Sequence, residues 1–298
     1  MKDNKLMVFI AVFLAMLFWG YSFVWYKIAY LYYKPFTVIF FRLIFSAIIL
    51  TIFLRIKGNK EKVIKKDMIG IMLMALCQPF FYFLGEGLGM YYVSATVGAI
   101  IIATIPLVTP IFAHHFLQEK IHISLILGLV ISFIGVYMIV QGDYRGSNSI
   151  KGILLLFFAV LAAVSYGVLL KKMSHKYSAF TIVKYQNIFG MLYFLPLFLI
   201  WEWDHFIHTD HQLAGVWVIF QMALFASTLA FVFITYVIKH LGMSRTNIFT
   251  NLIPVFTAII SFFVLGERFP FLKILGIVIV ISGLTISKIR YITGKNNR

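Results

Sequence analysis

An all-α integral membrane fold, ten transmembrane helices in two inverted five-helix repeats, is predicted by three observations. The chain is 62% hydrophobic and only 12% charged, too little polar material to cover a soluble globule of 298 residues. The string from Pro106 to Gly135 recurs without a gap 148 positions later, aligning Pro106 with Pro254, Thr109 with Thr257, Glu119 with Glu267, Gly128 with Gly276 and Gly135 with Gly283. Apolar runs of about 20 residues, enough for one bilayer crossing, recur ten times along the chain.

The first five runs are approximately Leu6 to Tyr26, Phe36 to Leu54, Met68 to Met90, Ala95 to Leu117 and Ile121 to Val140. The second five are approximately Ile150 to Leu170, Ala179 to Ile200, Gly215 to Ile238, Met243 to Leu265 and Phe269 to Ser287. Upstream of the doubled string, Met74, Ala75, Leu76 and Phe83 fall on Met222, Ala223, Leu224 and Phe231 at the same offset. Nearer the start the offset becomes 144, matching Lys27 to Lys171, Phe36 to Phe180 and Thr37 to Thr181. The halves divide as 1–142 and 143–298. Lys2 and Lys5 precede the first run as in a secretory signal, but its end lacks a small-x-small cleavage pattern, so it reads as a retained span.

Five spans per half is an odd number, so the second half enters the membrane from the opposite side. Eighteen basic residues then fall in the connectors and termini of one side, Arg55 to Lys66 and Lys171 to Lys176 among them, against five on the other: Lys27, Lys34, Arg145, Lys151 and Arg268. Positive connectors face the cytoplasm, which puts both termini there, in the cell membrane. The net charge of +16 does not point to nucleic acid, because the basic residues lie in scattered connectors and not on one face. Cys77 is the only cysteine, so no internal disulfide and no cysteine metal site can form. No GxxxxGK[ST] motif is present for ATP, and no cofactor is expected. The cluster Glu202, Asp204, His205, His208, Asp210 and His211 has spacing that could hold a metal, but reads as a solvated outer connector.

Polar side chains inside spans are costly and face a cavity or one another. Gln78, Tyr82 and Glu86 are spaced as one stripe of a helix, as are Asn247, Thr250, Asn251 and Pro254. Trp19, Ser22 and Tyr26 form a third stripe, with Trp19 assigned to the cavity and Tyr26 to an interfacial aromatic belt. Ser165 and Tyr166 form the fourth. Asn251 is expected to line the cavity where its counterpart Ala103 offers no equivalent contact. Asn247 and Asn251 could equally be interhelical glue. Lys184 and Lys273 are expected to snorkel, and His114 and His115 to be interfacial. Pro106 and Pro254 are read as kinks or hinges near the centres of equivalent spans. Glu119 and Glu267, each followed by a basic residue (Lys120, Arg268), are read as end anchors or gate partners. Glu86 is the only acid inside a span. Arg42 and Glu86 lie roughly 9 and 6 Å deep from the same face, so a charge pair between them is expected.

FWGYSFVWYK, with Trp19, Gly20, Ser22, Phe23 and Lys27, then Pro35 with Arg42, then the doubled Pro-Glu-Gly-Gly string, resemble the EamA-type carriers of the drug/metabolite transporter superfamily. Gln118 departs from the small residue usual in that pattern. The resemblance implies spans one to four and six to nine around a central cavity, with five and ten outside. It also implies a carrier that exports or exchanges amino acids, other small metabolites or amphiphiles. The expectation is therefore a secondary transporter, not an enzyme, exporting a small metabolite such as an amino acid by alternating access. Its partners would be that solute and the lipid bilayer, with no nucleic acid; proton coupling and a homodimer are left open. The alternative is an integral-membrane enzyme or a lipid-handling protein.

Overall fold

The computed structural model describes residues 2–58, 61, 63–117, 123–142, 148–173, 176–241, 246 and 249–287. Its regular elements are helices. The first half holds α1 (Lys2–Ala29), α2 (Pro35–Ile56), α3 (Lys65–Ala75), α4 (Tyr82–Tyr92), α5 (Ala95–Ile102), α6 (Ile105–Leu117) and α7 (Ile123–Gln141). The second holds α8 (Ile150–Met173), α9 (Ala179–Trp201), α10 (Trp203–His208), α11 (Leu213–Gln221), α12 (Ala230–Leu241), α13 (Leu252–Leu265) and α14 (Phe271–Ser287). Among the described residues, seven helical stretches are long and apolar enough to cross a membrane, and three shorter apolar helices accompany them. The chain is a multi-pass membrane protein.

Four spans expected to be continuous are interrupted. Residues Leu76–Phe81 form a wide π-type turn between α3 and α4, with Gln78 off the helical path at φ −148° and ψ 120°. A similar π segment, Met222–Leu229, joins α11 to α12 at the repeat-equivalent place. The Ala95 to Leu117 run divides after Ile102, so that Pro106 is the second residue of α6 and not a mid-helix kink. Pro254 is likewise the third residue of α13, after the short 3₁₀ turn Phe249–Asn251. A proline in the first turn removes an N–H that has no intrahelical partner anyway, so the ring fixes φ without breaking a bond.

Helices of the first half pack on helices of the second: α1 against α12 and α13, α2 against α9, α4 against α8, and α7 against α14. The last pair explains the doubled glycines. A Cβ on Gly135 would stand 2.7 Å from the Gly276 carbonyl, and one on Gly128 2.6 Å from that of Gly283. The pairing is antiparallel, and each glycine opposes the repeat equivalent of the other. Without a hydrophobic drive between helices in lipid, such small-residue seams supply close van der Waals packing.

Candidate functional site

One polar chain crosses the interior. Helix α2 presents Arg42 and Ser46 one turn apart, and α4 presents Tyr82 and Glu86 one turn apart, while α1 contributes Tyr26 and the π segment contributes Ser227 and Thr228. Arg42 and Glu86 are only 2% and 4% exposed. Arg42 Nη1 donates to the Tyr26 hydroxyl at 2.8 Å, and that hydroxyl donates to Glu86 Oε2 at 3.0 Å. Tyr82 donates to Glu86 Oε1 at 2.8 Å, and Arg42 Nε donates to Ser227 Oγ. The polarity is forced, because a guanidinium only donates; the single phenol proton is left for the carboxyl group. Among the described residues Arg42 and Glu86 make no direct ion pair: Tyr26 stands between them. The guanidinium also lies 4.4 Å from the centre of the Phe83 ring, a cation–π arrangement.

A small cavity of about 10 Å³, the space of roughly one water, is lined by Phe83 together with Gln78, Gln186, Asn187 and Phe231. Gln186 Nε2 donates to the Gln78 carbonyl at 2.9 Å. Asn187 Nδ2 donates to Ser46 Oγ at 2.6 Å, and Ser46 meets Thr228 Oγ1 at 2.7 Å. The cavity and the relay are thus tied together through α2 and the π segment. The expected Gln78, Tyr82 and Glu86 stripe is divided by the break in the helix: Tyr82 and Glu86 join the relay, and Gln78 faces the cavity.

The other proposed residues have their own partners. Trp19 Nε1 donates to the Ala226 carbonyl at 3.3 Å, and its ring packs on cavity-lining Phe231 with centroids 5.4 Å apart. Ser22 bonds back to the Trp19 carbonyl at 2.7 Å. Tyr166 donates to Gln186 Oε1 at 3.4 Å, one residue removed from the cavity. Ser165 likewise bonds back within its own helix, to the Leu161 carbonyl. Asn251 is half-buried in the 3₁₀ turn and is not among the residues lining that cavity, and Ala103 is buried. Asn247 and Glu119 lie outside the described residues, as do the side chains of His114 and His115.

Several sequence assignments change. Tyr26, assigned to an interfacial belt, is fully buried and links the two charged groups. Lys273 does not snorkel: it is 1% exposed and pairs with Glu267 at 3.1 Å, while the expected neighbour Arg268 is exposed. Lys184 is half-buried against the Tyr185 ring. Glu267 also accepts from the Ala95 N–H at 2.9 Å and the Thr96 hydroxyl at 2.6 Å, capping α5. Glu202, read as part of a solvated connector, is 4% exposed and accepts from the Phe36 and Thr37 N–H groups at 3.0 and 2.7 Å, capping α2. Its neighbours Asp204 and His208 are exposed and 3.5 Å apart, and no group of metal-ligating residues is present among the described residues. Asn187, Gln186 and Ser46 were missed, although polar residues inside apolar runs are a readable signal.

These features define a multi-pass membrane protein with a polar, charged site enclosed in an apolar bundle. The model of the EamA-like transporter family matches the chain twice, over residues 6–141 and 150–288, and the chain belongs to that family. It is similar to the uncharacterized transporter YetK of Bacillus subtilis (strain 168), 27% identical, covering 83% of this chain and 76% of that one. YyaM of the same organism is 28% identical over 80% and 79% of the two chains, and an uncharacterized transporter of Archaeoglobus fulgidus is 24% identical over 92% and 94%. A crystal structure with 9% identity superposes with a TM-score of 0.71 over 97% of this chain and 99% of its own, a likeness of fold. The family and the relatives' names indicate a transporter in preference to an enzyme.

Proposed function

We propose that the chain is a secondary transporter, two inverted five-helix halves (1–142 and 143–298) that alternate access to a central site and export a small polar metabolite such as an amino acid. The observation that carries this is the Arg42–Tyr26–Glu86–Tyr82 relay. Ionisable groups buried inside a membrane bundle are costly, and they persist where a path or a ligand needs them. Both halves contribute, the second through Ser227, so relative movement of the halves changes the relay. The Arg42 guanidinium matches a carboxylate, and the Glu86 carboxyl oxygens match an ammonium group.

Counterflow in proteoliposomes tests the proposal: labelled amino acids should exchange across the membrane, and Tyr26→Phe should slow exchange at least tenfold while the protein still purifies folded. Formation of a chemical product without solute movement would overturn it. A pH gradient imposed across the same vesicles decides whether Glu86 carries a proton: acceleration in wild type that is absent in Glu86→Gln assigns it that role. For orientation, in a Cys77→Ser background His208→Cys should react with an impermeant reagent from outside intact cells, and Lys57→Cys should not; the reverse pattern would invert the topology.

A further inference from the structure

At the end of the bundle where α2 finishes and α9 begins, three cations gather beside an apolar surface and meet no acid. Phe40 stacks on Phe198 and Phe53 on Phe180, so the two helices run antiparallel. Lys57, just past the end of α2, holds its Nζ 5.0 Å from the centre of the Phe53 ring and 5.7 Å from that of Phe180. Arg55 is exposed in the last turn of α2. Lys184 lies in the second turn of α9, about 8 Å along the axis from its start, half-buried, with Nζ 4.4 Å from the centre of the Tyr185 ring and within electrostatic reach of Arg55. Ring faces attract cations but do not cancel their charge. Among the described residues none of the three pairs with a carboxylate. Glu61 and Asp67, the acids described at that end, are engaged elsewhere, the first by Ser178 and the second by Lys176 and Tyr177.

Helical spacing puts Ile48 and Ile52 on the face of α2 that ends in Arg55, and Ile188 and Leu192 on the face of α9 that starts at Lys184. Ile48, Ile52 and Leu192 are exposed. A basic residue in a connector is explained by orientation alone; Lys184 is not, because it lies inside a span, where a charge without a counter-ion is costly. We infer that Arg55, Lys57 and Lys184 form a headgroup site for an anionic phospholipid. Its phosphodiester oxygens meet the guanidinium fork and the two ammonium groups, and its acyl chains follow the apolar faces that continue from them. Basic pockets between membrane helices take such headgroups. In the orientation proposed above the lipid belongs to the cytoplasmic leaflet, but the site depends neither on that orientation nor on transport.

The test uses purified full-length protein in a neutral detergent, titrated with phosphatidylglycerol in mixed micelles. Binding is read as the rise in unfolding temperature and as lipid retained in native mass spectrometry. Phosphatidylglycerol should stabilise saturably, and phosphatidylcholine, inorganic phosphate and glycerol 3-phosphate should not. Arg55→Gln, Lys57→Gln and Lys184→Gln should each weaken the apparent affinity about fivefold, and the triple variant should abolish retention. Lys184→Met, which keeps the apolar stem, serves if the glutamine variant fails to fold. Lys65 and Lys66 are exposed at the same end, and their joint replacement by Gln should leave the affinity unchanged. An equal loss in that control would assign the effect to the net charge of the surface, and equal stabilisation by inorganic phosphate would assign it to a free anion. Either result, or the same response to phosphatidylglycerol and phosphatidylcholine, overturns the inference.

Discussion

At one end of the bundle Glu202, in the connector after α9, accepts the first N–H groups of α2; at the other, Glu61, in the connector after α2, accepts the Ser178 N–H at 3.2 Å and the Ser178 hydroxyl ahead of α9. Phe36 and Thr37, the residues capped at the first end, are the repeat equivalents of Phe180 and Thr181 at the second. The device is the same and reciprocal: each half caps the second helix of the other. Burial differs. Glu202 is sealed, and at the same end as the α1 and α4 C-termini Glu267 caps α5 while pairing with the buried Lys273, Lys27 donates to the Met90 carbonyl at 2.6 Å, and the Asn148 side chain caps Ser94. At the Glu61 end the matching ion pair, Lys176 with Asp67 at 2.7 Å, has a lysine side chain 54% exposed. Charged hydrogen bonds are held more tightly where water is excluded, so the Glu202 end is the more firmly closed of the two in this conformation.

Removing one member of a buried pair leaves the other charge uncompensated, so the largest effect is expected at Glu267 and Lys273. Glu267→Ala and Lys273→Ala should each cost about 3–5 kcal/mol of stability, read from thermal unfolding in detergent, with partial recovery in the double variant. Strictly additive losses would show that the two groups are uncoupled. Glu202→Ala, which orphans two N–H groups and the Thr37 hydroxyl, should cost about 1–3 kcal/mol and should make the neighbouring helix ends more accessible to cysteine reagents. If Glu61→Ala cost as much as Glu202→Ala, the asymmetry between the ends would be refuted; the expected loss there is about 1 kcal/mol, as for an ordinary cap.

The smallest effect is a pH dependence at Glu61. Burial pushes its carboxyl up, but hydrogen bonds from Ser178 and Thr181 outweigh this and hold it below the ordinary glutamate range. A carboxyl lowered in the folded state contributes stability that is fully present above the ordinary range and is lost as pH falls through the lowered value. Wild type should therefore unfold at a higher temperature than Glu61→Gln at neutral pH, and the difference should vanish on strong acidification. A gap that persists in acid would assign the contact to packing instead of charge.

Much of the architecture was legible because membrane partition is a local property, summed residue by residue along a run. The apolar stretches, the doubled string and the shared depth of Arg42 and Glu86 could be read without knowing any neighbour, whereas the helix seam made by the doubled glycines could not. Helix interruptions were less legible. Prolines were visible, but whether Pro106 bends a helix or begins one depends on whether the preceding turn continues, and that is decided by what packs there.

The identity of each polar partner was set by tertiary structure alone. Tyr26 is as compatible with an interfacial belt as with a buried relay until the rotation of α1 against α2 and α4 is fixed. Lys273 lies near enough to a span end to snorkel, and only the approach of α5 to Glu267 turns it inward. Glu202 sits among solvated residues in sequence, yet the uncapped start of α2 beside it draws it into the bundle. A side chain's cost of entering lipid is written in its own chemistry, whereas the N–H and hydroxyl groups that Glu202 and Glu267 cap come from segments more than 150 residues away.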